Sequence, residues 1–229
     1  MIEKFLNKTR QILTDLENSG LWKALAVWIK KHRKSIDALA KRLHKKNISA
    51  HMISLFGFVI GMMAVNFLAM NMYFEALLCI LINRFCDILD GCVARIEGVS
   101  IFGQFLDLCL DFIFYAGVIF GFALAQPEDN AVAACFLLFG FMSSVVALLA
   151  YGTVHQGKPK VKEQEDSFAR PFYLGGIVQG GELSVCLILL CLMPFAFLPV
   201  SIALGCWCLV KSVIVMTTAY YQFVILKRK

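Results

Sequence analysis

Apolar positions in this chain come in long blocks, broken by short polar interruptions. The first 50 residues are polar and basic, and apolar runs begin near Met52. Six apolar segments follow, at 52–70, 73–95, 102–126, 131–153, 175–198 and 200–224. A helix needs about 20 residues to cross a bilayer, so the pattern predicts six membrane-spanning helices. The breaks between them are Asn71, Glu97-Gly98, the run Pro127-Glu128-Asp129-Asn130, a polar loop from His155 to Arg170, and Pro199.

The polar opening has its own period. Ile2, Phe5, Leu6, Ile12, Leu13 and Leu16 recur at helical spacing, followed by Trp22, Leu25, Trp28 and Ile29, then Ile36, Leu39 and Leu43. Lysines and arginines stand between them. This predicts amphipathic helices over 1–47, lying on an anionic cytoplasmic leaflet. A solvated basic arm or a contact with another protein would carry the same pattern. Apolar spans follow directly, so membrane lipid rather than nucleic acid is the expected counterion.

Charge sets the orientation of the spans. Lys23, Lys30, Lys31, Arg33, Lys34, Lys41, Arg42, Lys45 and Lys46 precede the first. Arg95 lies by the second connection, Lys158, Lys160, Lys162 and Arg170 lie in the fourth, and Lys227-Arg228-Lys229 end the chain. The other connections hold no lysine or arginine. The alternation predicts both termini in the cytoplasm, with residues 48–229 forming one six-span domain. No secretory signal pattern precedes the first span, so that helix is expected to begin insertion.

Composition agrees with this picture. Charged residues make up 17% of the 229-residue chain, against about 25% in an ordinary soluble domain. The nine cysteines are an odd number and fall mostly in apolar runs. Cys206 and Cys208 are too close in sequence to share a helix face. They read as small packing residues in a reducing compartment, without disulfides or a zinc site.

One block breaks the apolar rule. Asp87, Asp90, Asp107 and Asp111 all lie within a stretch of high hydrophobicity. An aspartate at mid-membrane costs roughly 2.5–3.5 kcal/mol, so these four are expected to face something other than lipid. Asp87, Asp90, Gly91, Ala94 and Arg95 form one stripe of the second helix. Gly103, Asp107 and Asp111 form one stripe of the third. Packed as a hairpin, the two stripes would face each other near the cytoplasmic end. Arg84 and Arg95 are too few to neutralise four carboxylates, whereas divalent cations would. An oxygen-only donor set favours magnesium, manganese or calcium. The chemistry leaves two readings open, a metal-dependent phosphoryl-transfer enzyme and a cation pathway.

The pattern DxxDGxxAR, followed by GxxxD and xxxD, stands here as Asp87, Asp90, Gly91, Ala94, Arg95, Gly103, Asp107 and Asp111. It resembles the signature of the CDP-alcohol phosphatidyltransferase family. With "FLDLCLDFIFYAGVIFGFAL" and "FYLGGIVQGGE" it is similar to a small bacterial inner-membrane subgroup over about residues 47–224. The resemblance implies an all-α membrane protein with six spans, an amphipathic N-terminal segment and a homodimer. It further implies transfer of a phosphatidyl group from CDP-diacylglycerol to an alcohol, with loss of CMP. By position, Asp87, Asp90, Asp107 and Asp111 would hold two magnesium or manganese ions. Asp111 would also be the general base, and Gly91, Ala94, Arg95 and Gly103 would hold the CDP portion. The site would face the cytoplasm.

Three departures stand out. Seven residues separate Arg95 from Gly103, where most members have eight. Ala50-His51 replaces a Pro-Asn pair common at the first span. Gln179 stands where the subgroup carries an acid. The first expectation for the acceptor is a phosphorylated alcohol such as glycerol 3-phosphate, with Lys158, Lys160, Lys162 and Arg170 as candidates for a basic pocket; the competing reading is that these residues only enforce topology. Gln179 and Glu182 are candidates for the acceptor side, and a pair between Glu182 and mid-span Lys211 is the competing reading. The alternative function is a catalytically divergent member that keeps a divalent-cation site for transport or structure.

Overall fold

A computed structural model describes residues 34–98, 100–156, 181, 183–220 and 223–224. Residues 1–33, the fourth connection with Lys158, Lys160, Lys162, Arg170 and Gln179, Glu182 and the basic tail lie outside the described residues. Among the described residues the regular structure is helical, with no strand. The elements are α1 (34–45), α2 (Ala50–Ala69), α3 (Tyr73–Glu97), α4 (Ile101–Ala125), α5 (Pro127–Gln156), α6 (Leu183–Leu192) and α7 (Phe197–Tyr220).

Four stretches are long and apolar enough to cross a membrane: α2, α4, Pro127–Val154 of α5, and Pro194–Tyr220 including α7. Helix α3 has the length but also carries Glu75, Arg84, Asp87, Asp90, Arg95 and Glu97. The described part of α6 is a shorter apolar helix.

Local chemistry explains where the helices start and stop. Ser49 caps α2 by accepting from the Met52 amide, and Ser100 caps α4 by accepting from the Gly103 amide. Gly98, at φ 97°, ends α3 in a conformation that a side chain would strain. Two sequence breaks resolve differently. Pro127-Glu128-Asp129 is the first turn of α5, where proline lacks no needed amide and acids suit the helix dipole. Pro199 falls inside the first turn of α7, which tolerates it for the same reason. The break between α6 and α7 falls instead at Met193 and the 3₁₀ turn Pro194–Ala196.

In lipid, helices associate by close packing rather than by hiding apolar surface from water. Large side chains such as Phe56, Val59 and Phe139 therefore point outward, and small residues lie at the helix crossings. A methyl group on Gly57 of α2 would lie 2.5 Å from Cys86 Cβ of α3. One on Gly121 of α4 would lie 3.2 Å from the Val65 Cα of α2. Helix α2 thus packs on both α3 and α4, and α5 packs on α7. Leu68, Ile80, Phe114, Phe122, Leu137, Leu187 and Phe197 fill the interior between these groups.

The aspartate helices do not form the close hairpin expected from the sequence. Helices α3 and α4 make no extensive backbone approach to each other, while α2 contacts both. The glycines explain the arrangement, since α2 and its neighbours present their smallest surfaces to one another. A cleft remains between the two carboxylate stripes.

Helix α1 is amphipathic as expected, but its apolar face is covered by the chain itself. Ile36 and Ala40 are buried with Ala50, Ile53, Cys86, Leu89 and Val93 of α2 and α3. Lys34, Lys41, Arg42, Lys45 and Lys46 stay exposed. Glu97 fastens this corner: it accepts from the Ala50 amide at 3.2 Å and lies 3.7 Å from His44 Nδ1.

Candidate functional site

The aspartates of both predicted stripes line one cavity, whereas Gly91, Ala94, Arg95 and Gly103 of the same stripes are not among its lining residues. Its lining includes Ser54 and Gly57 of α2, Arg84, Asp87 and Asp90 of α3, and Asp107 and Asp111 of α4. All four aspartates therefore reach the same space. Their surroundings differ: Asp90 is buried, Asp87 and Asp111 are half-buried, and Asp107 is exposed.

Asp87, Asp90 and Asp107 draw closest. Each can offer an oxygen such that the three ligand atoms lie within 4.8 Å of one another. Asp90 is anchored by a short hydrogen bond from the Ser54 hydroxyl. Three carboxylate oxygens at this spacing, with no sulfur or imidazole among them, fit a hard divalent cation of the magnesium or manganese kind.

Asp111 lies outside that trio. Its Oδ1 accepts from an Arg84 terminal nitrogen at 2.8 Å. Arg84 also donates to Asn83 Oδ1 at 2.6 and 2.9 Å and to the Tyr115 hydroxyl at 2.8 Å. Its guanidinium carbon lies 4.6 Å from the centre of the Phe114 ring. Asn83 in turn donates to the Gly57 carbonyl at 2.9 Å, and Tyr115 pairs with Ser184 of α6 at 2.7 Å. A half-buried arginine is tolerable here because its donors meet acceptors on its own helix and on α4. One such guanidinium against four carboxylates still leaves the cavity electronegative.

The residues expected to hold the CDP portion divide into two groups. Gly91 is open: a methyl group there would meet only the Arg95 guanidinium, at 3.8 Å. Arg95 is exposed and donates to Cys92 Sγ at 3.0 Å. Ala94 follows on the same stripe and is partly exposed. Gly103 is more enclosed, because a methyl group would lie 2.9 Å from His51 Cε1 and 2.9 Å from Ser100 Oγ. His51 also stands edge-on to Phe102, with ring centres 5.5 Å apart. The Ala50-His51 departure and the Gly103 position are thus neighbours.

Of the acceptor-side candidates, Arg170, Gln179 and Glu182 lie outside the described residues. Lys211 sits with its ammonium 5.4 Å from the Trp207 ring centre. The sequence reading did not single out Ser54, Asn83, Tyr115 or Ser184, and gave Arg84 only a weak neutralising role. Arg84 carried a usable signal, since it lies one turn before Asp87 within an apolar run. The others are small or amphipathic residues whose importance comes from partners distant in sequence.

The sequence matches the CDP-alcohol phosphatidyltransferase family over residues 47–224. It is 40% identical over 167 residues to "Inner membrane protein YnjF" of Escherichia coli, covering 72% of this chain and 81% of that protein. It is 32% identical over 96 residues to an "Archaetidylinositol phosphate synthase" of Pyrococcus horikoshii, covering 41% of this chain and 50% of that protein. No solved structure gives a significant match.

Proposed function

The chain belongs to the CDP-alcohol phosphatidyltransferase family, and we propose that it makes a phospholipid by transferring a phosphatidyl group from CDP-diacylglycerol to an alcohol, releasing CMP. The observation that carries this reading is the convergence of Asp87, Asp90 and Asp107 within 4.8 Å beside Asp111 in one cavity. A phosphorylated acceptor such as glycerol 3-phosphate fits best. The Pyrococcus horikoshii relative supports that class, since the product in its name carries a phosphate on its headgroup.

In this reading the four aspartates hold two magnesium or manganese ions. Bound there, the ions would neutralise the donor diphosphate and make CMP a better leaving group. The remaining work falls to side chains. Arg95, exposed at the end of the α3 stripe, offers a guanidinium fork to phosphate oxygens. Gly91 and Ala94 leave room for the nucleotide to approach the helix. Asp111 takes the proton of the acceptor hydroxyl as its oxygen forms a bond to the phosphatidyl phosphorus. The bond from that phosphorus to the CMP oxygen breaks, and CMP leaves with its electron pair. Arg170, Gln179 and Glu182 belong to the acceptor side.

The membrane arrangement is part of the proposal. Six spans place both termini and the cavity mouth at the cytoplasmic side of a bacterial inner membrane. Charge alternation along the chain and the name of the Escherichia coli relative support this. The segment 1–47 is a basic juxtamembrane unit, 48–229 is the catalytic domain, and the working form is a homodimer.

The test is direct. Purified protein is incubated with labelled CDP-diacylglycerol, magnesium or manganese, and single acceptors: glycerol 3-phosphate, serine, inositol, inositol phosphate or phosphatidylglycerol. CMP release with a new lipid is expected for one phosphorylated acceptor. Absence of CMP with every acceptor and both metals overturns the reading.

A further inference from the structure

Arg84 belongs to none of the roles assigned above, yet beside the cavity it bonds to Asn83, Tyr115 and Asp111. Its partners lie on α3 and α4, and they tie it onward to α2 and α6. Asn83 accepts from it twice and is itself tied to the α2 backbone through the Gly57 carbonyl. Tyr115 of α4 accepts from it and pairs with Ser184 of α6. The Phe114 ring covers one face of the guanidinium. A planar fork held at this many points has little freedom to follow a moving partner. Asp111 must therefore come to Arg84, and its Oδ1 does so at 2.8 Å. Arg84 also lies 3.7 Å from Asp87 Oδ2, but that carboxylate remains within the three-carboxylate cluster.

We propose that Arg84 is a positioning residue that holds Asp111 out of the Asp87–Asp90–Asp107 cluster, so that the first divalent ion is bound by those three and Asp111 is left to face the second ion's place and the acceptor. The inference rests on the transferase reading for its kinetic consequence but not for its metal-binding consequence. Two carboxylate oxygens then have separate duties. The one paired with Arg84 fixes the orientation of the group, and the other faces the second ion's place and the acceptor hydroxyl. Tyr115 and Ser184 extend the tie to α6, so the orientation of Asp111 depends on the seating of that helix.

The experiment uses full-length protein in detergent, titrated with manganese and followed by electron paramagnetic resonance without substrate. Asp90→Asn is expected to weaken the first manganese about tenfold or more, since even outer partners of a metal site are worth about that much. Asp111→Asn should leave the first manganese within about twofold of the unmutated protein, a change too small to mark a ligand. Arg84→Met should release Asp111 to the cluster and tighten that ion. With the working acceptor, Arg84→Met should lower kcat by about 10- to 100-fold, the usual cost of losing an orienting partner. Its KM for CDP-diacylglycerol should stay near the unmutated value, and Arg84→Lys should recover part of kcat. Tyr115→Phe removes one hydroxyl and should give a smaller fall in kcat, which serves if Arg84→Met does not fold. The proposal is overturned if Asp111→Asn weakens the first manganese as much as Asp90→Asn does. It is equally overturned if Arg84→Met folds with unchanged manganese affinity and unchanged kcat, or if Tyr115→Phe leaves kcat unchanged. Failure of the unmutated protein to release CMP would instead count against the transferase reading, with the manganese arms still deciding the role of Arg84.

Discussion

The Ser54 hydroxyl on α2 donates to Asp90 Oδ2 on α3. It joins a helix without a site carboxylate to the most buried of the four aspartates. Such an outer hydrogen bond fixes which way a ligand oxygen faces. Ser54→Ala should therefore weaken manganese binding by about tenfold while costing only about 1 kcal/mol of stability. Manganese titration beside thermal unfolding separates the two effects. Unchanged metal affinity would remove Ser54 from the site.

Metal removal gives a second prediction. Oxygen donors select hard ions. Treatment with EDTA should stop CMP release, magnesium or manganese should restore it, and zinc should not. Full activity in excess chelator would contradict a metal-dependent reaction.

Asp111→Asn keeps the shape of the side chain and removes its ability to take a proton. It should abolish CMP release with whichever acceptor works. Near-normal turnover in this variant would mean that another group is the base.

How far the sequence alone reaches is clearest at the aspartates. Their spacing names the helix faces they share, because the period of a helix is fixed, and Asp87, Asp90, Asp107 and Asp111 do line one cavity. The same period says nothing about what separates two faces. That α2 contacts both α3 and α4 follows from glycines and bulky residues meeting across helices, which no local pattern records. Tyr115 reads as one more aromatic in an apolar run, and only its contact with Arg84 and Ser184 gives its hydroxyl a role. The apolar face of α1 was legible, but not its partner: lipid and the α2–α3 surface ask for the same residues.

Gly140 and Gly205 carry the crossing of α5 and α7. A methyl group on Gly140 would lie 2.5 Å from the Gly205 carbonyl oxygen, and backbone cannot turn aside as a side chain can. Gly140→Val should destabilise the protein by at least about 1–3 kcal/mol, the usual cost of overpacking. Thermal unfolding in detergent reads it, and an unshifted transition would show that the helices can part freely.

Gly103 offers a contrasting case. A methyl group there meets His51, whose imidazole is a side chain able to rotate, and the Ser100 hydroxyl. Gly103→Ala should lower turnover, and adding His51→Ala should recover part of it. A double-mutant cycle on kcat checks this. Strict additivity would mean that crowding by His51 is not the cause.

Because α2 packs against both carboxylate helices, it acts as a spacer, and its girth helps set the width of the carboxylate cavity. Gly57 thins it toward α3, Gly61 toward both Asn83 of α3 and Phe114 of α4, and Gly117 and Gly121 of α4 thin the other contact. A protein engineer seeking a wider or narrower cavity would therefore change a helix that bears no acid, lysine or arginine, and leave every carboxylate in place.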